Sequence, residues 1–322
     1  MKKLVLVFWF FLTCFSTKAQ SYGNEWINYS QKYYSFSLTQ TGLYKIDVAS
    51  LAAAGIPINT FTAGNVQLFG REKELPLFIQ DGGDNLLDLG DIIFFYAEKN
   101  DGWLDSTLYD DPSRMGNPKY SLYNDTIQYF FTWNSSENNK RFVVENDVDF
   151  NSYSPSNYVL AEKWQSFSQS YIAGEKSSDA SSSFFVSGEG WGSAAQNGVN
   201  GYTWNLSSTL LENVYQGIDA PLVNYRAVTV GASNAVFGGI GNHHSLHTIG
   251  SSNYVLFDTI FTGYQGISIN KSFPVSVLPA AGGTNYKVSI IGDQSALSDF
   301  QSLNYWSFLY PRSPSFLNAN NQ

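Results

Sequence analysis

The sequence predicts an all-β protein. Aromatic residues make up 16% of the 322 residues, charged residues only 14%, and 27 glycines are spread along the chain. Aromatic and β-branched side chains suit a pleated, half-buried surface, and glycine is common in the turns between strands. Short apolar runs recur between polar turns, and no long helical period interrupts them. We therefore expect a small N-terminal β domain followed by a jelly-roll-like β-sandwich.

The N-terminal β domain is predicted over residues 20–135. Tyr33–Leu38 alternates aromatic or aliphatic residues with serine, a pattern typical of a half-buried strand. Residues 104–118 are interpreted as a surface excursion of this domain, and Tyr120–Trp133 as a further strand or bent strand pair. Between these, a strand–turn–strand–loop–strand unit is predicted from the apolar runs Val66–Phe69, Leu75–Ile79 and Ile92–Tyr96.

The remainder of the chain is predicted to be a connection followed by the sandwich. Residues 136–186 are rich in Ser, Asn and Tyr and indicate a connecting segment with edge strands, whereas 187–312 carry the sandwich and 313–322 form a polar tail. The predicted sandwich strands are Tyr202–Leu206, Asn224–Val230, His244–Ile249, Tyr254–Phe261, Ile267–Ser272, Tyr286–Ile291 and Leu303–Tyr310.

Met1–Ala19 has the anatomy of a secretory signal peptide. Two lysines precede the apolar run Leu4–Phe15, and a small-x-small pattern predicts cleavage between Ala19 and Gln20. A transmembrane anchor is one alternative, but the run is shorter than the roughly 20 residues that span a bilayer. A lipid anchor on Cys14 is another, which the bulky residues before it disfavour. We expect export to the periplasm or the outer-membrane cell surface, without a membrane anchor.

Charge and cysteine content exclude two classes of function. The net charge is −9, and the chain shows no basic stripe of the kind that phosphate contacts require, so no nucleic-acid partner is expected. The single cysteine, Cys14, lies in the predicted leader. Residues 20–322 therefore offer neither a disulfide nor a thiol nucleophile.

The loop between residues 81 and 91 is a candidate calcium site. It carries Asp81, Asp84, Asp88 and Asp91 together with two glycines. Hard cations such as calcium bind several carboxylate and carbonyl oxygens of a flexible loop, although the spacing does not follow the EF-hand pattern. The alternative is a turn stabilised by Asp and Gly, with its carboxylates in solvent. No other cofactor is expected.

The chain has three histidines, His243, His244 and His247. A zinc site is conceivable, but on a strand His243 and His244 face opposite sides, and His243 and His247 are about 13 Å apart. Ligands of one zinc ion each approach it within roughly 2.1 Å. The sequence therefore favours polar side chains at a strand edge over a metal site.

Four aromatic residues of the second domain are candidates for a binding surface that stacks on sugar rings. They are Trp191, Trp204, Tyr264 and Trp306. The alternative is that these residues belong to the core, since aromatic side chains dominate the interiors of proteins with this composition.

Six stretches of the chain stand out in combination. Asn24–Pro57, Val66–Gly102 and Asn117–Trp133 lie in the first domain, and Ser187–Trp191 (SGEGW), Gly241–His247 (GNHHSLH) and Leu303–Arg312 (LNYWSFLYPR) lie in the second. Together they resemble the N-terminal, non-catalytic β region of gingipain-type cysteine peptidases, and in particular the members that act as sortases of the type IX secretion system.

The resemblance implies an activity for a longer protein rather than for these residues. In the family, a caspase-like α/β domain with a catalytic histidine and cysteine follows the β regions, and no residue here matches those positions. The implied activity is cleavage of C-terminal sorting signals from secreted cargo at the cell surface. The implied partners are the chain's own or an associated peptidase domain, type IX secretion components and cargo.

We therefore expect a catalytically inert module that positions, docks or inhibits a peptidase domain. The chain is expected to be either a fragment of a longer reading frame or a stand-alone protein. The alternative function is a secreted surface module that binds glycans or proteins through its second domain.

Overall fold

The computed structural model describes residues 23–136, 138–174, 183–206, 211–234, 242–279, 283–294 and 298–314. The predicted signal peptide and most of the predicted polar tail lie outside these ranges. In the described ranges, no helix is both long and apolar enough to cross a membrane. The described residues divide into two compact units, one drawn from residues 1–99 and 126–146 and the other from residues 100–125 and 147–322.

The regular secondary structure of the described residues is almost entirely β-strand, which confirms the predicted all-β class. One α-helix, α1 (Val48–Ala53), and short 3₁₀ turns at Ile58–Thr60, Ala63–Asn65, Asp105–Leu108, Pro112–Arg114, Phe150–Ser152 and Val275–Val277 complete the elements. The strands of the first unit are β1 (Tyr34–Leu38), β2 (Gly42–Asp47), β3 (Val66–Gly70), β4 (Lys73–Glu74), β5 (Phe78–Gln80), β6 (Ile92–Ala97) and β7 (Ile127–Trp133).

The strands of the second unit include one exceptionally long member. They are β8 (Val159–Ser166), β9 (Ser170–Ala173), β10 (Glu189–Gly192), β11 (Gln196–Asn197), β12 (Tyr202–Asn205), β13 (Val223–Gly231), β14 (His243–Ile249), β15 (Tyr254–Phe261), β16 (Gly266–Phe273), β17 (Tyr286–Ile290) and the 13-residue β18 (Phe300–Arg312).

Two antiparallel sheets form the first unit. Their strand orders are β1-β7-β3-β4 and β2-β6-β5. Phe36 of β1 lies 6.0 Å from Phe95 of β6, measured between ring centroids, and Phe95 is 6.3 Å from Tyr129 of β7. The buried side chains of both sheets belong to one apolar cluster. The alternation of inward and outward residues along β1 and β6 supplies that cluster, as expected for strands with one buried face.

The second unit is a β-sandwich. One sheet has the order β11-β18-β13-β16, with β8 also pairing with β18, and the other has the order β12-β17-β14-β15; β9 and β10 form a separate pair. Rings from both sheets meet in the core: Tyr286 of β17 lies 5.3 Å from Trp306 and 5.1 Å from Phe308, both of β18. Because β18 pairs with β8, β11 and β13, it is the strand around which this unit is assembled.

The strand positions predicted in the second domain are confirmed within three residues at each end.

Residues 100–125 belong to a different unit from the one that the sequence predicted. The sequence assigned them to the first domain, whereas their contacts are with the second unit. Within this segment, Asn117 donates hydrogen bonds to the carbonyl oxygens of Phe167, Trp191 and Asn304. One buried amide thus attaches the segment to three separate parts of the second unit.

The predicted strand Leu75–Ile79 is wrong as a single element. It is interrupted between β4 and β5, and Pro76 lies in the interruption. Proline has no backbone N–H to donate to a neighbouring strand, so pairing stops there. Leu77 instead donates its N–H to the carbonyl oxygen of Lys140. The predicted strand at Tyr120–Trp133 is likewise shorter than expected and begins at Ile127.

Tyr129 provides a test of the first unit. Its buried hydroxyl donates to the carbonyl oxygen of Glu98 (2.7 Å) and accepts from the N–H of Glu98 (2.8 Å). Tyr129→Phe leaves both backbone groups without this partner, so we expect the free energy of unfolding to fall by about 1–3 kcal/mol. Urea denaturation measures it. Tyr96→Phe, at a half-exposed position, is the control and should change little; equal stability of the two variants would contradict the assignment.

Candidate functional site

The acidic loop is built from turns that use its carboxylates. Asp81 accepts a hydrogen bond from the N–H of Gly83 (3.0 Å), Asp84 from that of Leu86 (2.9 Å), and Asp91 from that of Asp88 (2.6 Å). Aspartate side chains commonly stabilise turns in this way. Across the described ranges, no group of three or more His, Cys, Asp or Glu side chains is arranged to hold a metal ion. The loop geometry is that of the turn that the sequence left open as the alternative.

His247 lies in the core of the sandwich, which corrects the expectation that the histidines are strand-edge side chains. It is fully buried, with Nδ1 hydrogen-bonded to the Tyr225 hydroxyl (2.5 Å) and Nε2 to the Ser245 hydroxyl (3.1 Å). The Tyr225 hydroxyl also hydrogen-bonds to that of Tyr286 (2.7 Å). Burial lowers the pKa of His247 to about 3, because an imidazolium would lose its hydration there.

The other two histidines have oxygen acceptors beside both ring nitrogens. His243 is fully buried, with Nδ1 at 2.7 Å from Asp299 and Nε2 donating to the Ser233 carbonyl oxygen at 3.0 Å. His244 lies on the surface between Asp258, 2.7 Å from Nε2, and Asp293, 2.9 Å from Nδ1. With a carboxylate at each nitrogen, no position of the His244 ring remains for a metal ion or for abstraction of a proton.

The pKa of His244 results from opposing effects. The largest is partial desolvation, which lowers the pKa, but the hydrogen bonds to Asp258 and Asp293 together outweigh it and raise the pKa above its ordinary value. Both carboxylates are about half exposed, so water screens each pair.

Two of the four predicted aromatic binding residues are structural. Trp306 is only 2% exposed and packs among core rings, so its selection as a stacking residue is wrong. It belongs to β18, in which the eight successive residues 301–308 are all buried. Trp204 lies on β12, is partly buried against the same core, and contacts Tyr202 edge to face at 4.9 Å.

Trp191 and Tyr264 occupy neighbouring parts of the second unit. Tyr264 is 37% exposed, and its carbonyl oxygen lies against Gly188, where an added Cβ would approach it to 2.2 Å. Gly188 also has a φ of +76°, a conformation that favours glycine. Within the SGEGW stretch, Trp191 lies three residues after Gly188, the residue that packs against the backbone of Tyr264.

The structure surrounds Trp191 with two tyrosines, and we name Tyr120, Tyr171 and Trp191 the Trp191 cluster. Trp191 and Tyr171 are directly opposite each other on β10 and β9, with ring centroids 5.5 Å apart. Tyr120 approaches from residues 100–125, with its ring centroid 6.0 Å from that of Trp191. The indole N–H of Trp191 donates to the carbonyl oxygen of Leu122 (3.2 Å), which fixes the ring.

Beneath the Trp191 cluster, Glu189 organises the tyrosines. Its carboxylate accepts a hydrogen bond from the Tyr171 hydroxyl (2.8 Å), and its carbonyl oxygen accepts one from Tyr109 (2.6 Å). Burial raises the pKa of Tyr109 to about 12, and burial together with the Glu189 hydrogen bond raises that of Tyr171. Both phenols therefore remain neutral donors at physiological pH.

The Trp191 cluster is a rigid aromatic surface that suits binding rather than catalysis. Tyr171 is 41% exposed, and its orientation is fixed by Glu189. Preorganised aromatic rings offer large contact area at a small entropic cost. Sequence analysis found Trp191 but missed Tyr120 and Tyr171, because nothing local in a sequence indicates which distant tyrosines will meet a tryptophan across strands.

Comparisons with known proteins give no family. No family model matches the chain, and no curated protein matches it. Among solved structures, dimeric latent PorU from Porphyromonas gingivalis matches at 11% identity and a TM-score of 0.46, over 87% of this chain and 24% of that one. This chain thus spans about a quarter of the PorU chain.

Two structures from infectious bursal disease virus also match. The VP2 subviral particle of infectious bursal disease virus has 9% identity and a TM-score of 0.27, over 88% of this chain and 72% of that one. The infectious bursal disease virus Gx strain has 11% identity and a TM-score of 0.25, over 89% and 74%. Similarity of this size does not assign a function.

His244 yields a prediction about stability and pH. Its pKa is raised in the folded state, so the stabilisation by Asp258 and Asp293 is complete below the unfolded pKa of about 6.5 and disappears as pH rises through the folded pKa. Thermal unfolding should show wild type more stable than His244→Gln at pH 5.5, by about 1 kcal/mol or less, and equal to it at pH 9. A difference independent of pH would contradict this role; Lys271→Gln, at an exposed position of β16, is the control.

Proposed function

We propose that the chain is a non-catalytic docking module of a PorU-like sortase of the gingipain-type peptidases. The observation that carries the proposal is that all three histidines form hydrogen bonds within the fold. His243 and His247 are fully buried in hydrogen-bonded networks, and His244 is held between two carboxylates. A cysteine peptidase needs an accessible histidine beside a thiolate, and residues 20–322 contain no cysteine.

The stretches that resemble the family support the proposal through their structural roles. Residues 66–102 contribute β3 to β6 of the first unit, and the LNYWSFLYPR stretch lies within β18 of the second. These stretches therefore build the framework of each unit, as expected for β regions that accompany a separate catalytic domain. Processing of C-terminal sorting signals and attachment of cargo would be carried out by that domain.

Docking is assigned to the Trp191 cluster. Tyrosine and tryptophan are enriched in the energetically dominant parts of protein interfaces, where a rigid aromatic ring is buried by the partner. Tyr171 and Trp191 meet this description because Glu189 and the Leu122 carbonyl oxygen hold them in place. The proposed partner is the peptidase domain of the same or an associated chain, exposed to the periplasm or the cell surface.

A binding measurement tests docking. The DNA beyond the Gln322 codon should encode a domain with a histidine and a cysteine nucleophile; that domain, purified separately, should bind the chain in a calorimetric titration. Trp191→Ala should weaken binding at least about 30-fold, since central aromatic residues typically contribute more than 2 kcal/mol. Trp164→Ala, at an exposed tryptophan on β8, is the matched control. A stop codon followed by an unrelated gene would leave only a peptidase domain of an associated chain as the partner, and the absence of binding to such a domain as well would contradict the proposal.

A peptidase assay tests catalytic inertness. The purified chain should leave a fluorogenic peptide library uncleaved, because each histidine already has acceptors on its ring nitrogens or lies in the core. His244→Asn removes the one histidine with solvent exposure and serves as the diagnostic variant. Hydrolysis by wild type that is lost in His244→Asn would overturn the assignment of a non-catalytic role.

The second candidate function is a stand-alone surface module that binds glycans, favoured by the same aromatic surface. Neighbouring tyrosine and tryptophan rings can stack on sugar rings, and the Tyr171 hydroxyl lies beside them. A glycan array separates the two functions. Saturable binding that is lost in Trp191→Ala would support the stand-alone module, whereas an array without binding at this surface supports docking.

A further inference from the structure

The first unit contains a pocket with a mostly polar lining. It has a volume of about 710 Å³ and opens between the segment before β1, the 3₁₀ turns near residue 60 and the end of β7. Asn28, Gln31 and Lys32 line one side, and Phe61, Trp133 and Asn134 line the other. Volumes of roughly 300–1,000 Å³ are usual for small-molecule sites.

The lining is polar and carries a single charge. Nine of its ten residues bear hydrogen-bonding side-chain groups, none is acidic, and Lys32 is the one cation among them. This is notable in a chain of net charge −9. The donors of Gln31, Thr60 and Asn65 already have intramolecular partners, so these side chains offer mainly oxygen acceptors. Such acceptors match the hydroxyl groups of a saccharide better than an apolar ligand.

Lys32 is placed for an anionic ligand. Two other cations of the first unit have carboxylate partners: Lys45 lies 3.1 Å from Asp47, and Arg71 lies 3.1 Å from Glu98. The Lys32 ammonium instead lies over the ring of Tyr34, 4.9 Å from its centroid, and among the described residues no carboxylate pairs with it. A cation on an aromatic ring keeps its hydrogen-bond donors for a further acceptor.

The walls of the pocket are rigid. Trp133 stacks on Phe61, with centroids 4.3 Å apart and planes 14° from parallel, and also on Tyr34 at 6.0 Å. Gln31 donates to the Trp133 carbonyl oxygen (2.7 Å) and to the side-chain oxygen of Gln67 (3.1 Å). Groups held in place before binding lose little entropy when a ligand arrives.

Asn28 adds donors beside Lys32. Its side-chain oxygen accepts hydrogen bonds from the N–H (3.1 Å) and the hydroxyl (2.7 Å) of Ser30. In the described part of the chain its amide NH₂ group has no hydrogen-bond partner, and Asn28 and Lys32 both line the pocket. Two neighbouring donors of this kind suit a carboxylate, which accepts through two oxygens.

We propose that this pocket binds a saccharide unit that carries a carboxylate, a uronic acid, with the carboxylate on Lys32 and Asn28 and the sugar hydroxyl groups donating to the side-chain oxygens of the remaining lining residues. The site lies in the first unit and uses no residue of the Trp191 cluster. It therefore goes beyond the proposed docking function and can fail or succeed independently of it.

Calorimetric titration of the purified chain with tri-galacturonate tests the proposal, with galactotriose as the uncharged probe. Tri-galacturonate should bind saturably and at least about tenfold more tightly than galactotriose, because a hydrogen bond to a charged group contributes about 1.5–3 kcal/mol. Lys32→Met should weaken uronate binding by a similar factor, and Lys32→Arg should retain most of it.

Two controls keep the result interpretable. Lys73→Met makes the same chemical change at an exposed position of β4 and should leave binding unchanged, and Trp191→Ala separates this site from the surface of the second unit. Unfolding curves confirm that each variant is folded. No binding of tri-galacturonate, equal binding of galactotriose, or an undiminished affinity in Lys32→Met would each overturn the proposal.

Discussion

The interaction on which the second unit depends most is the buried contact of Tyr225, His247 and Tyr286. These residues belong to β13, β14 and β17, so one hydroxyl group joins the two sheets of the sandwich through the core. A buried polar group without a partner costs free energy, and the contact therefore restricts the register of all three strands. A shift of one residue in any strand would turn its side chain to the opposite face. The same constraint removes His247 from any chemistry at the surface.

Much of the strand pattern could be predicted because it depends on local alternation. Strands β12 to β17 were found within one to two residues, since each alternates or runs apolar between polar turns. The grouping of residues 100–125 could not be predicted, because it rests on contacts such as those of Asn117 with residues 50 to 187 positions away. The interruption at Pro76 could have been foreseen, since proline lacks the N–H that continued pairing needs.

The neighbours of Trp191 in the Trp191 cluster could not be predicted from the sequence. Trp191 could be selected as an aromatic residue of the second domain, but its partners lie about 20 and 70 residues earlier, and they meet it through the pairing of β9 with β10 and the position of Tyr120. Trp306 was misjudged because composition does not say which face of a strand is buried. Histidine is polar on average, so burial of His243 and His247 became visible only with their partners in place.

The polar side chains have different roles in the two units. The second unit uses histidine, tyrosine and glutamate to fix its core and to hold an aromatic surface, whereas the first leaves Lys32 over an aromatic ring in a polar pocket. The central claim is that the histidines are structural. An NMR titration of the imidazole resonances in the folded chain tests it most directly. His247 should remain neutral down to a pH near 3, and His244 should titrate above its ordinary value. Titration of His247 near 6.5, as for an exposed histidine, would contradict the account.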